Sequence, residues 1–270
     1  MKNKTCVMKF GGASLSTPEQ FDVISELILH KAKEYPRICI VVSAMGKTTD
    51  ELLTLAKKVN PTPPQRELDM LLSVGERISM ALLAMSLAKR GHEAISFTGS
   101  QSGIITCSRH AEAKIIDVTP TRLLKSLEQE KIVIVAGFQG VSRNREITTL
   151  GRGGSDTTAV ALGTALGAEK VEFYKDVPGF CSEDPKINPN ASLFSHLSYD
   201  DAIEIVSKGA KILHQRCLEL AKVNQIPLHV LSFKEEFRQF GGTCIAPCIA
   251  NSHTESKQST PIYEQEEIYI

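Results

Sequence analysis

No charge of one sign dominates this chain. Among its 270 residues, 31 Lys and Arg stand against 31 Asp and Glu, for a net charge of zero. The electrostatic footprint of a nucleic-acid or anionic-membrane partner is therefore missing. No CxxC pair occurs. The seven cysteines, at positions 6, 39, 107, 181, 217, 244 and 248, are odd in number and scattered, with Cys244 and Cys248 the one close pair. That pattern suits reduced thiols in a cytoplasmic protein and argues against a zinc site. The N-terminal MKNKTCVMKFGG has no apolar stretch of signal-peptide length. No apolar run approaches the ~20 residues of a membrane span, and no internal repeat is visible. The glycines of VMKFGGAS do not form a Walker A loop, which places its lysine after the glycines rather than before them.

What is present is enough apolar material, 42% of residues, to bury a sizeable core. Short β-branched runs recur at 5–10, 37–43, 93–97, 131–138, 170–176 and 226–233. Each is near-continuously apolar, as a strand covered on both faces must be. Between them lie helical patterns. FDVISELILHKA (21–32) repeats apolar residues at Phe21, Ile24, Leu27 and Ile28, with Pro18 suited to a first turn. A long helical region runs from Pro64 to Arg90, with Gly75 as a bend or break and Gly91 as a stop. Further helices are expected at 120–129, 156–166, 199–207 and 211–223. Strands alternating with helices predict an α/β fold on a largely parallel sheet. From about Ala246 the chain turns polar and aperiodic, and is expected to be a tail or truncated linker.

Ligands of open α/β sheets bind beyond the carboxyl ends of strands, and four motifs fall at such places. Lys9-Phe10-Gly11-Gly12 ends the first strand; glycines admit phosphate oxygens close to backbone N–H groups, and a lysine adds a point charge. Taken alone it fits an ordinary strand-to-helix turn better. Val42-Ser43-Ala44-Met45-Gly46 leads into Thr48, Thr49 and Asp50, which fit a helix cap or a carboxylate site equally. Gly151-Arg152-Gly153-Gly154-Ser155-Asp156 is the strongest local signal: three glycines enter a helix N-terminus, with a guanidinium fork in the same turn. Asp156 would repel an anion there, and makes sense if it positions lysines or faces a metal. Lys208-Gly209-Ala210-Lys211 offers one lysine to a phosphate site, although a solvated helix end suits the spacing better. Glu76-Arg77 is a charged pair inside an apolar helical stretch. Lysines, glycine-rich backbone and one aspartate together make a coherent phosphoryl-transfer site, where positioning and charge neutralisation matter more than a strong base.

KFGGAS, VVSAMGKTTDELL, GERIS, VAGFQG, TTLGRGGSDTTAVALG, KDVPGFCSEDPKI and KGAKILH, in that order, resemble the catalytic domain of the aspartokinases, within the amino acid kinase family. The resemblance covers about residue 5 to Ile245, with GRGGSDTTA its most specific part. It implies a three-layer α/β/α sandwich on a mainly parallel sheet of about eight strands. The acceptor lobe would be about 1–150, the nucleotide lobe about 151–245, and the tail 246–270. It implies phosphorylation of L-aspartate by Mg-ATP to 4-phospho-L-aspartate, the entry step of lysine, threonine and methionine biosynthesis through diaminopimelate. Lys9, Lys211 and Asp156 then match the catalytic set. Thr49, Glu76, Arg152, Gly153, Gly154 and Ser155 match the aspartate pocket. Phe10, Gly11, Gly12 and Ser43 match the phosphate turns, and Lys175, Asp176, Cys181, Ser182, Glu183, Asp184, Pro185 and Lys186 the nucleotide loop. No protein metal ligand is implied, magnesium coming with ATP, and a homodimer is the expected assembly.

The sequence departs from the family at three loop positions: Lys175 replaces a usual threonine, Cys181 a usual aromatic and Lys186 a usual arginine. After GGTCI (241–245) the family usually continues into paired ACT regulatory domains. The expectation is a chain without them, insensitive to lysine or threonine through such domains. Two other readings stand beside this one. One is a kinase of the same fold acting on glutamate, acetylglutamate, carbamate or a nucleotide monophosphate, against which the Thr49, Glu76 and Arg152 set argues. The other is a catalytically silent module, against which the retention of Lys9, Lys211 and Asp156 argues.

Overall fold

A computed structural model describes residues 4–185, 187–188, 190–247 and 260–265. Its first strand, β1 (Thr5–Phe10), runs through a short 3-10 turn, Gly12–Leu15, into α1 (Pro18–Ala32). Pro18 opens α1, where its missing N–H costs nothing. Then come β2 (Arg37–Val42), α2 (Thr48–Val59), α3 (Gln65–Leu72), α4 (Val74–Lys89) and β3 (Ala94–Phe97). Next are β4 (Ile104–Thr106), β5 (Ile115–Val118), α5 (Thr121–Glu128), β6 (Ile132–Ala136), β7 (Gln139–Ser142) and β8 (Ile147–Thr149). The remainder is α6 (Gly154–Ala165), β9 (Lys170–Lys175), β10 (His196–Leu197), α7 (Tyr199–Ser207), α8 (Gln215–Asn224), β11 (Leu228–Ser232) and β12 (Thr243–Ile245).

Among the described residues the main sheet has eight strands, in the order β10-β12-β11-β9-β1-β2-β6-β3. Every neighbouring pair is parallel except β11–β12. Side chains alternate between two apolar layers, as the two-residue period of a strand requires. On one face Val7, Val41, Val135 and Phe173 pack with α5, α6, α7 and α8. On the other, Met8, Phe10, Ile40 and Ile134 pack with α1 and α4. This is the three-layer α/β/α sandwich implied by the family resemblance, on the largely parallel sheet expected from the apolar runs.

Four features differ from the sequence-based expectation. A second, four-stranded sheet, β5-β4-β7-β8, lies outside the main one; its strands have three or four residues, too few to show alternation. The helical region from Pro64 breaks at Ser73, not Gly75. Gly75 sits instead where a Cβ would come within 2.7 Å of the Ala44 Cβ, so its role is close approach. By length and composition Gln65–Lys89 could cross a membrane, whereas the sequence reading found no such run. Here its second half covers the sheet through Leu83 and Leu87, both fully buried. Part of the presumed tail is also packed: Tyr263 lies against the apolar core, and Glu264 exchanges hydrogen bonds with Ile115.

Candidate active site

The alternation that builds the core also builds the site. Lys9 shares the face of Val7, and Lys175 that of Phe173 and Val171, so both side chains point toward α6. In the β1–β9 register Lys9 pairs with Phe173, which places Lys175 just past Lys9 at the carboxyl end of the sheet. Asp156, in the first turn of α6, receives both. Its Oδ1 lies 2.6 Å from Lys9 Nζ and its Oδ2 lies 3.3 Å from Lys175 Nζ. Lys9 is 5% exposed and Asp156 7%. Burial pushes the Asp156 carboxyl upward, but Lys175 and Lys9 outweigh it and hold the group at about 2. The α6 N-terminus favours the anion as well. Burial lowers the Lys9 ammonium, against the pull of Asp156.

Of the two lysines expected around Asp156, Lys9 is there. Lys211 is not: it is exposed, in the turn before α8, and lines a cavity of about 730 Å3. Lys175, read from sequence only as the start of a nucleotide loop, takes the second place on Asp156. The same cavity is lined by Lys175, Asp176 and the run 181–185, so the expected nucleotide-loop residues do converge. Lys186 lies outside the described residues. The Phe10 ring turns away from this space and stacks on Tyr174 in the opposite layer, with centroids 4.8 Å apart. Its carbonyl accepts from Ser43 N.

The glycine turns interlock. Gly46 N donates to Gly12 O at 3.0 Å, and a Cβ on Gly12 would press on the carbonyls of Ala44 and Gly46. Gly153 caps α6 in the left-handed region (φ 73°), where an added Cβ would overlap the His214 ring. His214 is thus a packing partner of the loop. Ser155 and Gly154 are buried in the first turn of α6, while Arg152 is exposed and has no ion-pair partner among the described residues. Phe138, in VAGFQG, holds φ at 69°, an expensive conformation for a bulky residue. It is bracketed on both sides: its N–H donates to Thr158 Oγ1 at 3.1 Å and its carbonyl accepts from Leu150 N at 2.9 Å. Sequence reading missed this strut. The glycines either side of Phe138 and Gln139 were the available signal.

Glu76 stands in the first turn of α4 and is 3% exposed. Its Oε1 accepts from Ala44 N at 3.1 Å, while Oε2 has no hydrogen-bond partner among the described residues. Burial raises its carboxyl to about 7, despite the Ala44 and Glu76 N–H groups and the Lys9 charge, which pull the other way. Thr49 is half-buried in the first turn of α2 and Ser43 half-buried after β2. A partnerless carboxylate oxygen and an exposed guanidinium are complementary to the ammonium and carboxylate of an amino acid.

A raised carboxyl has a sign consequence for stability. Above its ordinary 4.5 and up to about 7, folded Glu76 holds a proton that the unfolded chain has released. Its contribution to ligand-free stability is therefore fullest below 4.5 and declines as pH rises through 7. A shift of this size corresponds to roughly 3 kcal/mol at most. Glu76→Gln is expected to flatten that part of the pH–stability curve and to be the more stable form at pH ~8. Urea titrations of both chains across this range check it; parallel curves would contradict the buried, protonated state.

Among the described residues no three His, Cys, Asp or Glu side chains converge as a metal cage.

Comparison with known proteins agrees with the geometry. The profile of the amino acid kinase family matches residues 4–232. The aspartokinase of Corynebacterium efficiens is 51% identical over 241 residues, which is 89% of this chain and 56% of that protein. The chain thus spans little more than half the length of such relatives. A crystal structure of aspartate kinase from Synechocystis superposes with a TM-score of 0.78 at 40% identity, covering 92% of this chain and 40% of that one. E. coli aspartokinase III, solved in complex with aspartate and ADP, gives 0.81 at 26% identity over 90% of this chain and 65% of that one.

Proposed function

The chain belongs to the amino acid kinase family, and from that premise we propose that it transfers the γ-phosphoryl group of ATP to the β-carboxylate of L-aspartate, giving 4-phospho-L-aspartate. The observation that carries this reading is the buried Asp156 carboxylate with Lys9 and Lys175 on its two oxygens, Lys175 also lining the 730 Å3 cavity. Such a cluster cannot serve as a general base, since a carboxyl held at about 2 has no tendency to take a proton. It is suited to fixing positive charge where phosphate oxygens gather. An aspartate acceptor needs no base, because its β-carboxylate is already ionised at neutral pH.

In this reading the nucleotide occupies the cavity between the 175–185 loop and the turn carrying Lys211. Lys9 projects its ammonium toward the β- and γ-phosphates, and the backbone of Gly11 and Gly12 lies alongside. Arg152 takes the α-carboxylate of aspartate and Glu76 its ammonium, with Thr49 and the Gly153–Ser155 turn closing the pocket. A β-carboxylate oxygen attacks the γ-phosphorus in line. The new P–O bond forms as the bond to the bridging oxygen breaks, and that electron pair leaves on ADP. Magnesium, bound with the nucleotide and near Asp176 and Asp184 of the cavity wall, would neutralise phosphate charge. We place the reaction in the cytoplasm, at the entry to lysine, threonine and methionine synthesis; the free state of the six described cysteines supports a reducing compartment.

The deciding experiment is ADP release from Mg-ATP with and without L-aspartate, with hydroxylamine trapping of the acyl phosphate. Aspartate-dependent ADP together with hydroxamate is expected; ADP formation that ignores aspartate would refute the acceptor. Within this reading Arg152→Ala is expected to raise the aspartate KM by roughly 10–100-fold with kcat little changed, the worth of one charge-assisted pair made equally in ground and transition states. Unaltered aspartate kinetics would remove Arg152 from the acceptor site.

A further inference from the structure

The Gly151–Gly154 turn is braced from behind by a residue far away in sequence. Arg216, near the start of α8, spends its guanidinium on backbone. Nη1 donates to Leu150 O and Nη2 to Ala113 O, each at 2.6 Å. Leu150 is the last residue before the turn that carries Arg152, and Ala113 N donates to Thr149 O one residue earlier. What holds Arg216 in that pose is Glu264. Its carboxylate takes Arg216 Nε on Oε1 and Nη2 on Oε2. Oε2 also accepts from Ile115 N at 2.8 Å, while Glu264 N donates to Ile115 O at 2.9 Å. Glu264 is thereby added to the outer edge of β5, the end strand of the small sheet. The segment is pinned further by Asn224, which exchanges two bonds with Ile262, at 2.7 and 2.8 Å.

From these contacts we propose that Glu264 is a positioning residue for the acceptor site. By neutralising and orienting Arg216 it fixes the Leu150 carbonyl, and with it the turn that presents Arg152 and the α6 N-terminus. The physical reason is the mostly buried state of both partners, whose side chains are 20% and 14% exposed. A guanidinium there without its carboxylate is an uncompensated charge. It relaxes toward water and releases the two carbonyls. This inference rests on the acceptor role given to Arg152 above. It also moves the functional end of the catalytic unit past Ile245, where motif matching would stop.

The test uses the full chain with Glu264→Ala, and with Glu264→Gln, which keeps one acceptor oxygen and guards against a failure to fold. Hydrogen exchange is followed on the amides of 150–155 and on β2 and β6 as internal references. In Glu264→Ala the turn is expected to exchange roughly tenfold faster or more, the loss of a charged hydrogen bond, with the references unchanged. The aspartate KM is expected to rise by roughly tenfold while the ATP KM stays about constant, and Glu264→Gln should fall between. Exchange in the turn equal to wild type, or acceleration spread evenly over the chain, overturns the proposal. So does a loosened turn with an unmoved aspartate KM. A wild-type chain that turns over no aspartate refutes the acceptor reading, and the exchange comparison then decides by itself whether Glu264 holds the turn.

Discussion

Asp156→Asn is expected to lower kcat for aspartate-dependent ADP formation by roughly 10²–10³-fold, the usual scale for removing one preorganised electrostatic group. Asparagine keeps the shape and one acceptor oxygen, so the fold should survive. What it removes is the charge that holds Lys9 and Lys175 together. Burial already lowers the Lys9 ammonium, and Asp156 is the main influence opposing it. Without that carboxylate the Lys9 pKa falls further, so the defect should deepen as pH rises and ease as it falls. The wild-type carboxyl, held at about 2, stays ionised throughout the same range. A pH profile of kcat for both chains is the measurement. A variant within a few-fold of wild type, or one whose deficit does not change with pH, would mean that Asp156 only ties strands to helix.

The pairing also bears on stability, with the opposite sign to Glu76. A carboxyl held below its ordinary 3.8 contributes stability above that value and loses it as pH falls toward 2. The buried Lys9 offsets part of this, because its lowered pKa means that ionisation costs free energy in the folded state. The cluster is better understood as a charge arrangement maintained for a ligand than as a source of stability.

How much of this was legible in the sequence depends on the range of the interaction involved. Strands covered on both faces must be apolar throughout, so β1, β2, β6 and β9 stood out, and the lysine closing β1 was conspicuous. The glycines before Asp156 were legible because a left-handed Gly153 against His214 leaves few other residues possible. Motif order then supplied an acceptor pocket and a nucleotide loop, and residues of that loop do line one cavity. What could not be read was strand order. Lys175 meets Asp156 because β9 lies beside β1, a neighbour 164 positions away in the β1–β9 pairing of Cys6 with Lys170 at the near end. No local pattern encodes that pairing. The small sheet was invisible because three-residue strands such as Ile104–Thr106 show no period. Residues 260–265 looked like solvated tail because their attachment is one ion pair, one half-buried ring and a few backbone bonds, contributed by partners on β5 and α8.

Lys9→Ala is the companion test, and its logic differs from that of Asp156→Asn. Turnover is again expected to drop roughly 10²–10³-fold, but through loss of the charge that meets the phosphates rather than of the group that aims it. Removing Lys9 leaves Asp156 still paired with Lys175, 3.3 Å away, so the carboxylate is not orphaned and the chain should fold. The two substitutions act on one unit. A Lys9→Ala/Asp156→Asn double variant should therefore lose little more than the worse single variant, well short of the product of the two losses. Full multiplicativity would mean that Lys9 and Asp156 contribute independently, and that their 2.6 Å contact is incidental to turnover. Near-normal turnover in Lys9→Ala would be more damaging still. It would transfer the phosphate role to the lysines that line the cavity, Lys175, Lys208 and Lys211, and leave β1 as scaffold.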